Sequence, residues 1–185
     1  MKNICSYITE KLKLNKDSGG DRIKPKDKEE LRKIIIERII KRKGREKINL
    51  NDIDVSAIED MSDLFNISKT SFKPYHVKGF IMDKWDVSNV KNMSGMFFNC
   101  MRFNSDISSW DVSNVKYMNE MFFNCFAFNC NLGKWRPESL EECDKMFYWC
   151  GKLKFNIGNW PYTGKVRTHK YFAMKADNIT GVPPW

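Results

Sequence analysis

Apolar residues change their spacing along this chain, and each change predicts an element. Between Asp27 and Lys43, Leu31, Ile35 and Ile39 recur every four residues, Ile36 and Ile40 do the same, and Ile34 widens the stripe. That spacing predicts an amphipathic helix over 27–43 with one face apolar enough to dock on a core. Its ends carry the matching chemistry: Pro25 before it, Asp27, Glu29 and Glu30 in the first turn, Lys41, Arg42 and Lys43 in the last, and Gly44 as a stop. Upstream, residues 14–24 hold Asp17, Ser18, Gly19, Gly20 and Asp21, a turn-rich linker after a short amphipathic N-terminal segment.

Further along, the pattern repeats. Trp85, Trp110, Trp135 and Trp160 stand 25 residues apart, and Trp85 to Cys100 aligns with Trp110 to Cys125 at most positions. A third copy runs through Trp135, Leu140, Cys143, Met146, Phe147 and Cys150. An earlier, divergent copy runs through Ile53, Val55, Ile58, Met61, Leu64 and Phe65, with seven extra residues before Trp85. Within one copy, Ile107, Trp110 and Val112 have the spacing of a short leucine-rich-repeat strand. Ser113 or Asn114 then suits a helix cap, and Val115, Met118, Met121 and Phe122 fall on one helical face.

The predicted fold is therefore α/β: an LRR-like right-handed solenoid of about four 25-residue strand–helix repeats over 51–160. Copies of this size bury their apolar faces only against neighbours, so the ends need covers. The helix within the basic region 1–50 is the expected N-terminal cap and 161–185 the C-terminal one.

Charge divides the chain the same way. Residues 1–50 carry 16 Lys plus Arg against 8 Asp plus Glu, whereas the other 135 residues carry 16 against 15. A basic front joined to a nearly neutral repeat region suggests two surfaces, the first favouring an acidic partner. No stretch approaches the roughly 18 to 20 apolar residues of a bilayer span, and residues 1–11 lack the apolar core of a signal peptide. The expectation is a cytoplasmic protein with no membrane partner and reduced cysteines.

The repeat resembles the BspA-like leucine-rich-repeat surface proteins, the Mycoplasma-type lipoprotein repeat family, whose hallmark W-D-V-S-x-V-x-x-M-x-x-M-F-x-x-C is met by residues 85–100 and 110–125. The resemblance covers about 51–160. It implies a repeat scaffold and, for the family at large, secreted adhesins or surface antigens. This chain looks like a short, signal-less member, and basic-fronted versions of that kind resemble products of phages or mobile elements.

Candidate chemistry is sparse. Cys100, Cys125 and Cys150 share one repeat position, with Ser68 in the first copy, which fits small apolar filler better than a metal or redox ladder. Met61, Met93, Met96, Met118, Met121 and Met146 read as core in the same way. His76 and His169 lie 93 residues apart with no fixed carboxylate or nucleophile spacing, and no phosphate loop or nucleophile elbow occurs. No catalytic residue, metal or cofactor is expected, nor a small-molecule substrate.

Binding remains. If the strands form a concave sheet, Asp54, Asp86, Asp111 and Arg136 point outward from it, flanked by Lys84, Ser109, Lys134 and Asn159, and by Ser88, Ser113 and Glu138. This mixed-sign face suits a protein partner better than a polyanion. The leading expectation is a non-enzymatic intracellular protein-binding module, with an extension to an inhibitor of a host nucleic-acid-handling defence complex such as a CRISPR-type nuclease. The alternatives are direct RNA or DNA binding through Arg32, Lys33, Arg38, Lys41, Arg42 and Lys43, with Lys24, Lys26, Lys28, Arg45 and Lys47 adding charge, and a surface adhesin if a signal sequence precedes the chain. Against nucleic acid stand the interleaved Asp27, Glu29, Glu30 and Glu37 and the absence of stacking aromatics from the segment.

Overall fold

The computed structural model describes residues 22–41, 47–66, 68, 79–154, 156–161, 163–176 and 178–182. Helix α1, Lys28–Lys41, lies within the range that the four-residue spacing predicts, and Arg42 and Lys43 fall outside the described residues. Asp27 caps it. The Glu30 N–H donates to Asp27 Oδ1 (2.8 Å) while Glu30 Oε2 accepts from the Lys26 N–H (2.9 Å), so two amides at the helix entry are satisfied by side chains. Leu31, Ile34, Ile35 and Ile39 are buried in the common core, whereas Ile40 is 55% exposed, so the docking face is narrower than the apolar stripe. Two pairs fasten the helix to 47–66: Lys28 Nζ to Asp60 Oδ2 (2.6 Å), and Arg38 to both oxygens of Asp52 (2.6 Å each).

The LRR-like right-handed solenoid of strand–helix repeats is overturned. Among the described residues α1 is the one α-helix, and the strands are β1, Ile48–Asn49, and β2, Phe80–Ile81, paired in parallel as a two-stranded sheet. Ile107, Trp110 and Val112 belong to no strand, and the predicted helix through Val115, Met118, Met121 and Phe122 is a succession of turns. The physical reason is in the backbone. Glu120 (φ 56°) and Asn124 (φ 55°) are left-handed, and a right-handed helix cannot pass through such residues. The turns close three residues back, as Met121 N–H to Met118 O (3.2 Å) and Phe123 N–H to Glu120 O (3.0 Å).

Those alternating turns direct the other amides out of the copy. Met118, Glu120, Phe122 and Asn124 donate to the carbonyls of Glu142, Asp144, Met146 and Tyr148 at 2.8–2.9 Å. Tyr117, Asn119, Met121 and Phe123 accept, at the same distances, from Met93, Gly95, Phe97 and Asn99. Parallel bridges mark the start of each row: Asp60 with Asn92, Asn92 with Tyr117, Tyr117 with Glu142, and Glu142 with Thr168. The copies therefore stack in register, and residues 167–174 receive or return the same bonds.

Stacking in register turns each core position into a row. Phe65, Phe97, Phe122 and Phe147 lie one above another with ring centroids 5.2–5.5 Å apart. The tryptophans add a hydrogen bond that explains their recurrence. The indole Nε1–H groups of Trp85, Trp110, Trp135 and Trp160 donate to the carbonyls of Leu50, Met82, Ile107 and Leu132 in the preceding copy, at 2.9, 3.2, 3.0 and 3.0 Å. Each of these carbonyls also closes a turn of its own copy, for example by accepting from the Trp110 N–H at Ile107 (3.2 Å). Trp135→Phe should therefore cost only about 1 kcal/mol, because Ile107 O keeps its other donor. Trp135→Ala should cost roughly 3 to 5 kcal/mol through the cavity it leaves. Urea unfolding of the two variants checks the difference.

Candidate interaction surface

The residues expected on a concave sheet do not occupy one, since no sheet runs through the tryptophan positions. Their side chains largely serve the turns. The Ser56 N–H and Oγ–H donate to Asp54 Oδ1 (3.1 and 2.7 Å), Ser88 binds Asp86 Oδ1 in the same way (3.1 and 2.7 Å), and the Ser113 N–H donates to Asp111 Oδ1 (3.0 Å). A carboxylate that accepts two bonds from a residue two positions on is a local turn device. The Ser56 and Ser88 hydroxyls, followed by the backbone amides, hold the Asp54 and Asp86 carboxyls below the usual range. Ser109 Oγ–H donates to Asp83 O (3.2 Å), and Arg136 folds onto the carbonyl of Trp135 (2.9 Å). Lys84, Lys134 and Asn159 are exposed along the same edge, so the eight positions are near one another in sequence register but form a strip of turns.

The basic helix is also partly committed. Arg38 is bound to Asp52 and to Asn49 O (2.8 Å), and its hydrogen bond holds the Asp52 carboxyl below the usual range. Lys41 Nζ lies 4.0 Å from Glu37, whose carboxyl is pushed up by burial. Arg32 is half-buried with one guanidinium nitrogen enclosed, and Lys33 is exposed. Arg38, Lys41, Ile48, Asn49 and Asp52 line a cleft of about 390 Å³ whose walls carry both signs of charge. This does not resemble the unpaired basic track that a polyanion needs.

A different surface feature emerges, one that the pattern of the sequence carries but that the helical-face reading leaves without a role. The second residue of each aromatic pair faces outward. Phe98 and Phe123 stack at 4.7 Å and 9°, Phe123 and Tyr148 at 5.1 Å and 3°, and all three are half-buried. Trp149 sits 5.8 Å from Tyr148 and is 50% exposed. At the turn exits Met101 and Phe126 are exposed at equivalent positions, with Lys152 Nζ 5.9 Å above the Phe126 ring. The signal was the doublet Phe97-Phe98, Phe122-Phe123, Phe147-Tyr148: adjacent residues in a turn cannot both point inward.

The thiols are inward. Cys100, Cys125 and Cys150 donate through Sγ to the carbonyls of Phe65, Phe97 and Phe122 (3.2, 3.0 and 3.0 Å). Burial pushes Cys100 and Cys150 up to about 12 and Cys125 well above its ordinary value. Among the described residues no group of three or more His, Cys, Asp or Glu side chains is placed to hold a metal ion, and no helix is long and apolar enough to cross a membrane.

Fold and surface together define a stacked-repeat protein whose distinctive chemistry lies in outward side chains. Residues 69–182, well over half of the chain, match the family described as Mycoplasma protein of unknown function, DUF285, and the chain belongs to that family. No curated protein and no solved structure matches it.

Two outcomes follow from the charges and thiols. Asp54, Asp86 and Asp106 have carboxyls held below 3.8, so the folded state binds fewer protons than the unfolded chain. Their contribution is complete above that value and is lost as pH falls through the lower folded-state values, so thermal melts should show the midpoint dropping below about pH 4. Secondly, because the thiolate is the reactive form, a disulfide reagent at pH 8 should label Cys125 and Cys150 only after urea unfolding, as peptide mapping would show.

Proposed function

We propose that this chain is a non-enzymatic protein-binding module that presents its outer aromatic row to a folded partner. The observation that carries this reading is the stacked, half-exposed run Phe98, Phe123 and Tyr148, continued by Trp149. Aromatic side chains supply large contact area at low entropic cost and are enriched at binding hot spots. Here they are held rigid by their neighbours, so little ordering is left to be done on association. The Asp and Ser side chains of the repeat close turns and the thiols of Cys125, Cys143 and Cys150 are buried, which leaves the aromatic row as the surface with most to gain from a partner.

The resemblance to the BspA-like surface proteins supports the same mode of action, with the partner a protein met at a cell surface. The basic front supports the other location, a complex inside a cell that handles nucleic acid, where positive charge would speed encounter. Both readings use the repeat region as the contact surface. Direct nucleic-acid binding draws less support, since Lys28, Arg38 and Lys41 already face Asp60, Asp52 and Glu37.

The test compares the wild-type chain with Phe123→Gln/Tyr148→Gln in affinity capture from host cytosol and from host surface extract, at low and at ~0.5 M salt, with nuclease treatment and without. The expected result is a stoichiometric protein that survives ~0.5 M salt with the wild type and falls at least tenfold with the variant, while circular dichroism melts show both folded. Equal capture by both proteins removes the aromatic row from the interface. Retention that disappears with nuclease would assign the function to the basic region instead.

A further inference from the structure

In sequence between the outer aromatic row and the tryptophan turns, each copy leaves its turns along a second edge. The stack uses the main chain there: Met101 O accepts from the Ala127 N–H (3.0 Å) and Phe126 O from the Lys152 N–H (3.2 Å). What a partner meets is therefore chiefly side chains. Three of them are large, apolar and outward, Met101 at 44%, Phe126 at 54% and Trp149 at 50% exposure. Single exposed apolar residues are ordinary on a protein surface, but Phe126 has a seat built for it. The position that carries Met101 and Phe126 in two copies carries Gly151 in the next, and a Cβ there would lie 2.7 Å from Phe126 Cε2. The ring rests on bare backbone and is held at the surface, with Lys152 Nζ 5.9 Å above it. Each of the three residues lies in a copy that another copy follows, and is exposed nonetheless.

The charge along this edge is of one sign. Stretches 98–105, 123–133 and 148–159 hold Arg102, Lys152 and Lys154 and no Asp or Glu. All three cations are exposed, and none forms an ion pair among the described residues, whereas Lys91, Lys116 and Lys145 are each paired with a glutamate of another copy. Asp106, the next acid along the chain, is held by the Ser108 hydroxyl (2.7 Å). Apolar tips among unpaired cations suit the headgroup boundary of an anionic bilayer, where aromatic rings insert and Lys and Arg reach the phosphates. A nucleic-acid strand suits the edge less, because bases stack on open ring faces and Phe126 has Gly151 against it and Lys152 over it. We propose that the turn-exit edge adsorbs to an anionic lipid surface, with Met101, Phe126 and Trp149 entering the headgroup–acyl boundary and Arg102, Lys152 and Lys154 facing lipid phosphates. Adsorption of this kind needs no spanning segment. It goes beyond protein binding, and of the outer aromatic row it shares only Trp149.

Flotation of the full chain with vesicles tests it, using phosphatidylcholine alone and phosphatidylcholine with an equal part of phosphatidylglycerol. The chain should float with the mixed vesicles at least about tenfold better than with the neutral ones, and less well at ~0.5 M salt. Lys152→Glu/Lys154→Glu and, separately, Phe126→Ser/Trp149→Ser should each weaken flotation at least about tenfold with melting curves unchanged. Bromine-labelled acyl chains should quench the tryptophan emission of the wild type. Trp149→Phe should remove most of that quenching, because Trp85, Trp110, Trp135 and Trp160 are buried. Should Phe126→Ser/Trp149→Ser fail to fold, the charge variant and the quenching still decide. Two results overturn the proposal. One is that the mixed vesicles do not bind the chain, in which case binding to polyglutamate would make the occupant an acidic protein. The other is that either folded edge variant floats as well as the wild type, which would assign lipid binding to the basic region 1–50. Vesicles present no protein, so this result and that for the aromatic row stand or fall separately.

Discussion

The main-chain hydrogen bonds between successive copies are the constraint on which the rest of the structure depends. A buried backbone amide or carbonyl must find a partner, and the described residues, with one helix and two two-residue strands, cannot find those partners within elements. The copies over 117–124 and 142–149 each hand four amides to the next and take four from the one before, and the first described copy, over 61–65, hands on three. The register this enforces places Phe on Phe and Trp near Trp, and the indole bonds of Trp85, Trp110, Trp135 and Trp160 span the same copy boundaries. Hydrophobic burial and hydrogen bonding are therefore not separable contributions here, because losing the register of one loses the other.

That arrangement has a conformational cost. Glu120, Asn124, Lys145, Trp149, Tyr171 and Lys175 all adopt left-handed φ, at roughly 1 to 2 kcal/mol for each residue that is not Gly or Asn. The cost recurs at the same two positions of each copy, so it belongs to the mechanism of stacking: the left-handed residues make successive amides face the next copy. Gly95 meets the same demand without that cost. It has φ 61°, and a Cβ there would lie 2.5 Å from Asp63 Oδ1, so a larger residue would have to displace that carboxylate, whereas later copies carry Glu120 and Lys145 at the same backbone setting.

The same facts explain what could be read from the sequence and what could not. Helix α1 was legible because its signals are local: the Asp27 cap, the Glu30 that reaches back to Lys26, and the spacing of Leu31, Ile35 and Ile39. The repeat was legible from the tryptophans, but its interior was not. Val115, Met118, Met121 and Phe122 have offsets of three, three and one, which fit a helical face and also fit turns that each close three residues back. Nothing in residue types such as Glu120 or Lys145 announces a left-handed backbone, since only stacking makes it favourable. Asp54, Asp86 and Asp111 looked like surface charges because period-two reasoning assumed a strand, whereas Ser two residues on made them turn formers. The outward Phe98, Phe123 and Tyr148 had no place in that reading for a related reason: which of two adjacent apolar residues faces out is settled only by the turn geometry.

In-register stacking also limits what a surface of this kind can display. Equivalent side chains stand against one another copy after copy, so a charged position repeated without change would repel itself. The chain meets this by pairing across copies: Lys91 with Glu59 (2.7 Å), Lys116 with Glu141 (3.1 Å), Lys145 with Glu120 (3.3 Å), and Arg167 with Glu141 (2.8 Å). These exposed pairs contribute little stability individually, and they neutralise the charge they carry. Aromatic side chains face no such conflict, because offset stacking is attractive between like rings. A row of Phe98, Phe123 and Tyr148 can therefore be both repeated and outward. Continuous apolar recognition features therefore come naturally to such a stack along its length.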